Sequence, residues 1–234
     1  LTTFQVPDKD RILVEQIIGG PHPTYLITTC RGRGFNTALG YFMAGLAEQA
    51  SIPVIEMSFD ENGLLLKTAQ DVDPGAMYEA FSADNHMDVI ERYIIGTQIF
   101  AKRFREVAGR SLIIPKRIGA EEISPQQFQQ RADALLNRHR TMEGSILIRE
   151  AKNEILYGDI DLGGLEQFLT SCREGQARIV HIRTTLPSRI GMSLYMSAFE
   201  DLMSMRTRAF LVKDIDPAIL ERLLGRRSLA TEMT

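Results

Sequence analysis

The chain has 234 residues, 44% of them hydrophobic and 24% charged, with a formal net charge of -3, the profile of an ordinary soluble globular protein able to bury a substantial core. Its two cysteines, Cys30 and Cys172, stand far apart with no Cys-x-x-Cys, which excludes a disulfide framework, suits a reducing cytosol and leaves both expected in or near the core. No apolar run reaches membrane-spanning length and the start lacks a signal-peptide pattern, so a cytoplasmic protein without a membrane partner is expected, and Leu1 in place of methionine suggests a piece of something longer.

In chain order, Arg11 to Ile18 and Tyr25 to Cys30 read as strands joined through the turn cluster Gly19-Gly20-Pro21-His22-Pro23. Asn36 to Gln49 reads as a helix. Ile52 to Phe59 and Leu64 to Lys67 form a hairpin across Asp60-Glu61-Asn62-Gly63, where Asn-Gly can take positive φ. Helices are expected over Pro74 to Phe81, Met87 to Ile95, Gln98 to Ile113, Pro125 to Arg140, Ser145 to Tyr157 and Leu162 to Arg173, with Ser124-Pro125 as cap and first position and Gly119 to Ser124 as an exposed connection. Arg178 to Thr184 returns to strand. A further strand over Arg208 to Lys213 and a short helix over Pro217 to Leu224 close the chain. Strands first, helices in the middle and strands last predict an α+β fold, a mixed or largely antiparallel sheet with a central block of helices. Residues 1–190 are expected to be one domain and 191–234 a segment packed on it.

Charge is concentrated in one place. From Phe100 to Arg117, six basic residues face a single acid: Phe100, Phe104, Val107, Ala108 and Leu112 recur at core spacing, while Lys102, Arg103, Arg105 and Arg110 fall elsewhere on the helical wheel, and Lys116-Arg117 follow Pro115. On charge alone this is equally a solvated helix face or a surface for a polyanion such as nucleic acid. Arg31-Gly32-Arg33-Gly34, between a strand and a helix, reads as a tight turn with exposed arginines, as a contact to nucleic-acid phosphate, or as a small-molecule phosphate site. His22, His86, His139 and His181 are scattered without metal-ligand spacing, and His139 between Arg138 and Arg140 reads as an exposed basic helix end. Asp161 before a helix reads as a cap. Met192, Met196, Met203 and Met205, among Leu194, Tyr195, Phe199 and Leu202, read as adaptable core or as an apolar docking surface.

The run Phe100 to Pro115, in the form F-x-x-R-F-R-x-V-A-x-R-x-L-x-x-P, resembles the DEAD/H-associated region that follows the motor in large helicase-related (Lhr-type) superfamily 2 ATP-dependent helicases. Tyr25 to Leu39 is similar to that family's apolar strand and helix start, and Gln129-Gln130-Arg131-Ala132-Asp133 through Leu136 to its W-Q-Q-R-x-x-A-x-x-L-L. Ile146 to Leu165 and Gly175 to Val180 are similar to its later E-x-x-x-x-x-x-D-x-x-x-L and G-E-I-x-V runs. The chain departs in having no tryptophan, with Phe128 standing nearest that motif position, and Gln176 where an acid is usual.

No G-x-x-x-x-G-K-[ST] and no D-E-x-H or D-E-A-D is present, so no activity and no cofactor are expected of this chain itself. The resemblance implies a parent protein whose two RecA-like motor domains use ATP and Mg to translocate on single-stranded DNA and unwind DNA or RNA:DNA hybrid, with a role in DNA repair. It implies an accessory domain whose phosphate contacts come from Arg31, Arg33, Lys102, Arg103, Arg105, Arg110, Lys116, Arg117 and Arg131, with Asn36 either capping its helix or touching nucleic acid. Arg103 has a second reading, an ion pair with an acid of a neighbouring helix. The alternative for the whole chain is a protein-docking module with no nucleic-acid contact of its own. A small enzyme acting on a phosphorylated substrate would need a general base that the sequence does not display.

Overall fold

The structure, a computed structural model, describes residues 10–73, 85–115 and 121–196 together with Pro7, Glu79, Phe81, Arg117 and Ile118. Lys116, most of the helix expected from Pro74 to Phe81, and the strand and helix expected from Arg208 onward lie outside the described residues, as do Met203 and Met205.

Strands β1 (Arg11–Ile17), β2 (Thr24–Thr28), β3 (Val54–Phe59), β4 (Gly63–Thr68) and β7 (Arg178–Thr184) form one mixed sheet in the order β3-β4-β2-β1-β7. Every pairing is antiparallel except β1 with β7, where Arg11 aligns with Arg178 and Ile17 with Thr184. A parallel return needs a long crossover, and the helices supply it. These are α1 (Arg33–Gln49), α2 (His86–Ile95), α3 (Gln98–Arg110), α4 (Pro125–Arg140), α5 (Ile146–Glu154) and α6 (Leu162–Arg173), with a two-residue ladder of β5 (Arg117–Ile118) and β6 (Glu121–Glu122) before α4.

Side chains alternate across the sheet, so its two faces carry different cores. Ile12, Val14, Tyr25, Ile27, Leu64 and Leu66 point toward α1, where Phe35, Leu39 and Phe42 meet them and extend the core to Phe100, Phe104, Leu136, Leu147 and Phe168 of the helical block. Ile17, Leu26 and Leu65 point the other way, against Leu194 and Tyr195 of helix α7, described over 189–196. Fully burying one such side chain is worth about 1.5–3 kcal/mol, so the larger cluster dominates the fold. Close approach sets the glycines: a Cβ at Gly40 would run into the Phe59 ring, and one at Gly63 into the Ile27 carbonyl of the neighbouring strand.

Local rules account for the element ends. Ser124 and Gln127 form a reciprocal capping box, each donating its backbone N–H to the other's side chain, with Pro125 at the first position of α4. Asp161 caps α6 by accepting from the Gly164 N–H at 2.8 Å. Four expected boundaries shift most. β2 stops at Thr28 because Cys30 (φ 54°) and Gly32 (φ 86°) take the left-handed region, and α1 then starts at Arg33 rather than Asn36. α3 ends at Arg110, since Leu112 turns left-handed (φ 58°) before Pro115 is reached. The helix expected to Tyr157 is α-helical only to Glu154 and continues as a π turn, Ile155–Asp159. Cys30 is exposed, its place at that turn keeping it out of the core, while Cys172 is half-buried and its thiol is pushed up to about 11 by burial.

The buried carboxylate of Glu15 closes the second face. It accepts from the backbone N–H (2.7 Å) and hydroxyl (2.8 Å) of Ser188, whose Oγ in turn accepts from the Gly191 N–H at 3.1 Å. A charge at full depth is held only when paired with several donors, and here the donors are the start of α7.

Candidate nucleic-acid interface

Helix α3 is the centre of the basic segment. Thr97 caps it, accepting from the Phe100 N–H at 3.2 Å, and Phe100, Phe104, Val107 and Ala108 are buried against the helices around it. With that stripe buried, the cations must lie on the flanks and the outer face, and the tertiary structure divides them into two groups.

The first group is paired. Arg103 donates to Asp159 at 2.5 Å and to Glu106 at 2.9 Å, with Glu154 at 3.8 Å. Arg110 donates to the same Glu154. Hydrogen bonds to Asp159 and to Glu154 respectively push the Arg103 and Arg110 guanidiniums above their ordinary pKa. This frame ties α3 to the end of α5 and to the π turn, so the second reading of Arg103, an ion pair with a neighbouring helix, is the arrangement the fold adopts. Arg105 reaches Asp133 of α4 at 3.3 Å.

The second group faces solvent. Lys102 on α3 and Arg131 on α4 are exposed, and among the described residues neither meets a carboxylate. An open groove of about 770 Å³ runs between α3 and the start of α4, with Lys102, Arg105 and Arg110 on its wall and Leu112 and Phe128 offering apolar surface. Gly109 leaves room for the Phe128 ring, which a Cβ there would meet at 3.1 Å. Arg117, on the short β5, is exposed and is not without a partner.

The Arg31-Gly32-Arg33-Gly34 turn sits apart from that groove, at the start of α1. The Arg31 guanidinium lies 5.0 Å from the ring centroids of both Phe35 and Phe168, a cation–π sandwich that draws it inward. Two of the amides a phosphate would use are occupied: the Gly32 N–H donates to the Glu61 carbonyl at 3.2 Å and the Arg33 N–H to the Glu61 carboxylate at 3.1 Å. Only the Arg33 side chain stands out toward solvent. Asn36 is fully buried, accepting from the Thr29 hydroxyl and donating to the Asp60 carbonyl at 2.8 Å, so its amide is committed to clamping the hairpin onto α1. His139 is not an exposed helix end. Its Nδ1 is 2.8 Å from the Ser145 hydroxyl and its ring packs on Phe104, because the tight turn into α5 folds back over it.

Two exposed residues have no counterpart among the sequence-based candidates. Tyr157 stands out from the π turn and Leu112 from the end of α3, both largely exposed. Helical periodicity assigns each to a regular helix, and only the broken backbone geometry turns them outward.

A family model described as DEAD/H associated matches residues 6–191. The chain belongs to the DEAD/H associated family. Relatives of this DEAD/H associated chain include ATP-dependent helicase Lhr-Core protein 2 of Thermococcus barophilus, 26% identical over 92% of this chain and 25% of the relative. A second is the Lhr helicase/probable uracil glycosylase of Mycolicibacterium smegmatis, 30% identical over 72% of this chain and 12% of its own. The chain spans about a quarter or less of the length of these relatives. A solved structure of Mycobacterium smegmatis helicase Lhr, itself bound to ssDNA and AMP-PNP, shares the fold with a TM-score of 0.68 over 81% of this chain and 24% of that one, at 23% identity. The observed α+β architecture agrees with the expectation from element order, and among the described residues no helix is long and apolar enough to cross a membrane.

Proposed function

We propose that this chain is the non-catalytic accessory domain of an Lhr-type ATP-dependent helicase, guiding a single DNA strand, or RNA:DNA hybrid, past the motor while bracing the RecA-like domains of the same polypeptide. The observation that carries this is the α3–α4 groove, where Lys102, which meets no carboxylate among the described residues, and the paired Arg105 and Arg110, together with Glu106, stand beside the apolar surfaces of Leu112 and Phe128. Cations that track phosphates next to side chains on which bases rest are the recurring design for strands held without sequence preference, which a translocating motor requires. Arg131 of α4 and, elsewhere on the chain, Arg33, Lys116 and Arg117 are the further candidate phosphate contacts. Arg103, Arg31 and Asn36 act behind it, fixing the helices and the turn on which the contacts are mounted. ATP and Mg would belong to the motor, since Glu61 occupies the Gly32 and Arg33 amides of the turn and the sequence carries no nucleotide-phosphate loop motif. In this reading residues 1–190 form the domain, 191–234 pack on it, and the whole protein works on cytoplasmic DNA in repair.

Fluorescence anisotropy with single-stranded DNA, RNA and a tailed duplex at low and high salt tests the reading. Binding that falls steeply with salt is the expected result, and no binding even at low salt sinks the strand-guiding role. The ion-pair frame favours a second reading, the docking module, because it cancels much of the positive charge that the sequence displays. Under that reading a separately expressed motor binds the chain and nucleic acid does not.

A further inference from the structure

A second concavity shares no lining residue with the α3–α4 groove. It holds about 500 Å³ between the end of α1, the sheet and the chain that follows β4, with apolar walls of Met43, Leu46, Ala47, Ile52, Leu66 and Val72. Tyr25 of β2, itself buried, also lines it, and its hydroxyl accepts from the Val72 N–H at 2.8 Å, which ties the segment after β4 to the sheet. A cavity of a few hundred Å³ with apolar walls and a small number of polar groups at its rim is the usual form of a small-molecule site, since apolar area is taken from water while the polar groups fix orientation.

The charge at the rim selects the ligand. Asp71 and Asp73 both line the cavity and are exposed. One carboxylate oxygen of Asp71 accepts from the buried Gln16 amide at 2.7 Å and from the Tyr25 hydroxyl at 3.5 Å, which fixes the group, while the other meets no donor among the described residues. Helix α1 adds to the same field. Each of α2 to α6 carries a basic residue in its last turn, whereas α1 carries none and has Glu48 there. The negative end of its dipole therefore borders the cavity, through Gln49 and Ala50, with no countercharge from the helix itself. Arg183 is separated from Tyr25 by the Gln16 strand, about 10 Å in strand spacing, and is not among the lining residues. An anion is repelled at such a rim and a neutral molecule leaves its field unused. We propose that this cavity is a binding site for a small organic cation, a protonated amine on a compact aromatic or branched aliphatic body, with the body among Met43, Leu46 and Leu66 and the ammonium donating to Asp71. The site is independent of the strand-guiding role.

The probes are tryptamine, whose amine is protonated at neutral pH, and indole-3-propionate, which carries a carboxylate on the same ring system. Nuclear magnetic resonance titrations of the full chain, isotopically labelled at its methionine methyls, follow Met43, whose signal is identified by its loss in Met43→Leu. Tryptamine is expected to shift the Met43 methyl with an affinity about tenfold above that of indole-3-propionate, the preference that one attractive and one repulsive contact give at a partly exposed charge, and added salt should narrow it. Asp71→Asn, which keeps an oxygen for Gln16, is expected to weaken tryptamine about threefold. Ala50→Phe, at an exposed position on the rim, is expected to abolish the Met43 shift by filling the mouth. An unchanged melting temperature shows that each variant is folded. Equal affinity for the two probes overturns the cationic ligand, and a Met43 methyl that neither probe moves overturns the site. So does tryptamine binding that both variants leave unchanged, since it would lie elsewhere on the surface.

Discussion

Replacing Arg103 by glutamine separates the two roles a cation on α3 can have. Its guanidinium serves three carboxylates, at 2.5 Å from Asp159, 2.9 Å from Glu106 and 3.8 Å from Glu154, with its side chain 27% exposed. Partly exposed pairs are each worth about 0.2–1 kcal/mol, and three that share one cation add less than fully. The variant also leaves Asp159, Glu106 and Glu154 with only Arg110 among them. A loss of about 1–2 kcal/mol follows, or about 3–6 °C in melting temperature for a domain of this size. Thermal unfolding followed by circular dichroism at low and high salt reads it. The difference from the parent chain should shrink as added salt screens the pairs, from a Debye length of about 10 Å at 0.1 M to about 3 Å at 1 M. An Arg103→Gln, Asp159→Asn cycle should return a coupling of about 0.5–1 kcal/mol. Unchanged stability together with a clear loss of strand affinity would refute this reasoning and return Arg103 to the phosphate contacts.

The neighbouring cation should behave in the opposite way. Lys102→Gln is expected to leave the melting temperature within error and to lower the salt slope of strand binding by about 1, the signature of one lost phosphate contact; an unchanged slope argues against the groove. Phe104→Ala, emptying a fully buried site at the centre of the helical block, should cost about 3–5 kcal/mol in urea unfolding. Gly63→Ala drives a methyl into the Ile27 carbonyl across the β2–β4 pair and should destabilise by about 2–4 kcal/mol, and a well-folded Gly63→Ala protein would contradict the strand spacing. Burial first, and Arg183 second, push the His181 imidazole below its ordinary value of 6.5. The fold therefore prefers the neutral ring, so this contribution to stability is present above about pH 6.5 and is lost as the pH falls through the depressed value; His181→Gln should flatten that part of the stability profile.

Elements whose residues carry their own local signal were legible in the sequence. Pro125–Arg140, Leu162–Arg173 and Arg178–Thr184 run to the residues expected, because a capping box, an aspartate cap and a β-branched run act within a few positions of chain. The hairpin was legible as well, although neither Asn62 nor Gly63 takes the positive φ expected: Gly63 opens β4, and the turn is held by the Asp60 carboxylate accepting from the Asn62 and Gly63 N–H groups; the fold class followed from element order. The ends of α3 and α5 were not: a left-handed Leu112 and a π turn at Tyr157 each violate the periodicity from which a helix is read. The candidate site divides along the same line. Which residues are cationic is a property of the sequence, and so is the helix face on which Lys102, Arg103, Arg105 and Arg110 cannot avoid lying once Phe100 and Phe104 are buried. Whether each charge is available is not, because an ion pair is made with residues distant in the chain. Arg103 meets Asp159, Arg110 meets Glu154 and Arg105 meets Asp133 only after the helices pack, and Arg31 is drawn between Phe35 and Phe168 only when α6 closes on α1. Sequence alone determined the elements and their charges, whose causes are local; tertiary structure decided which charges are paired, since pairing is a contact between elements that only packing brings together.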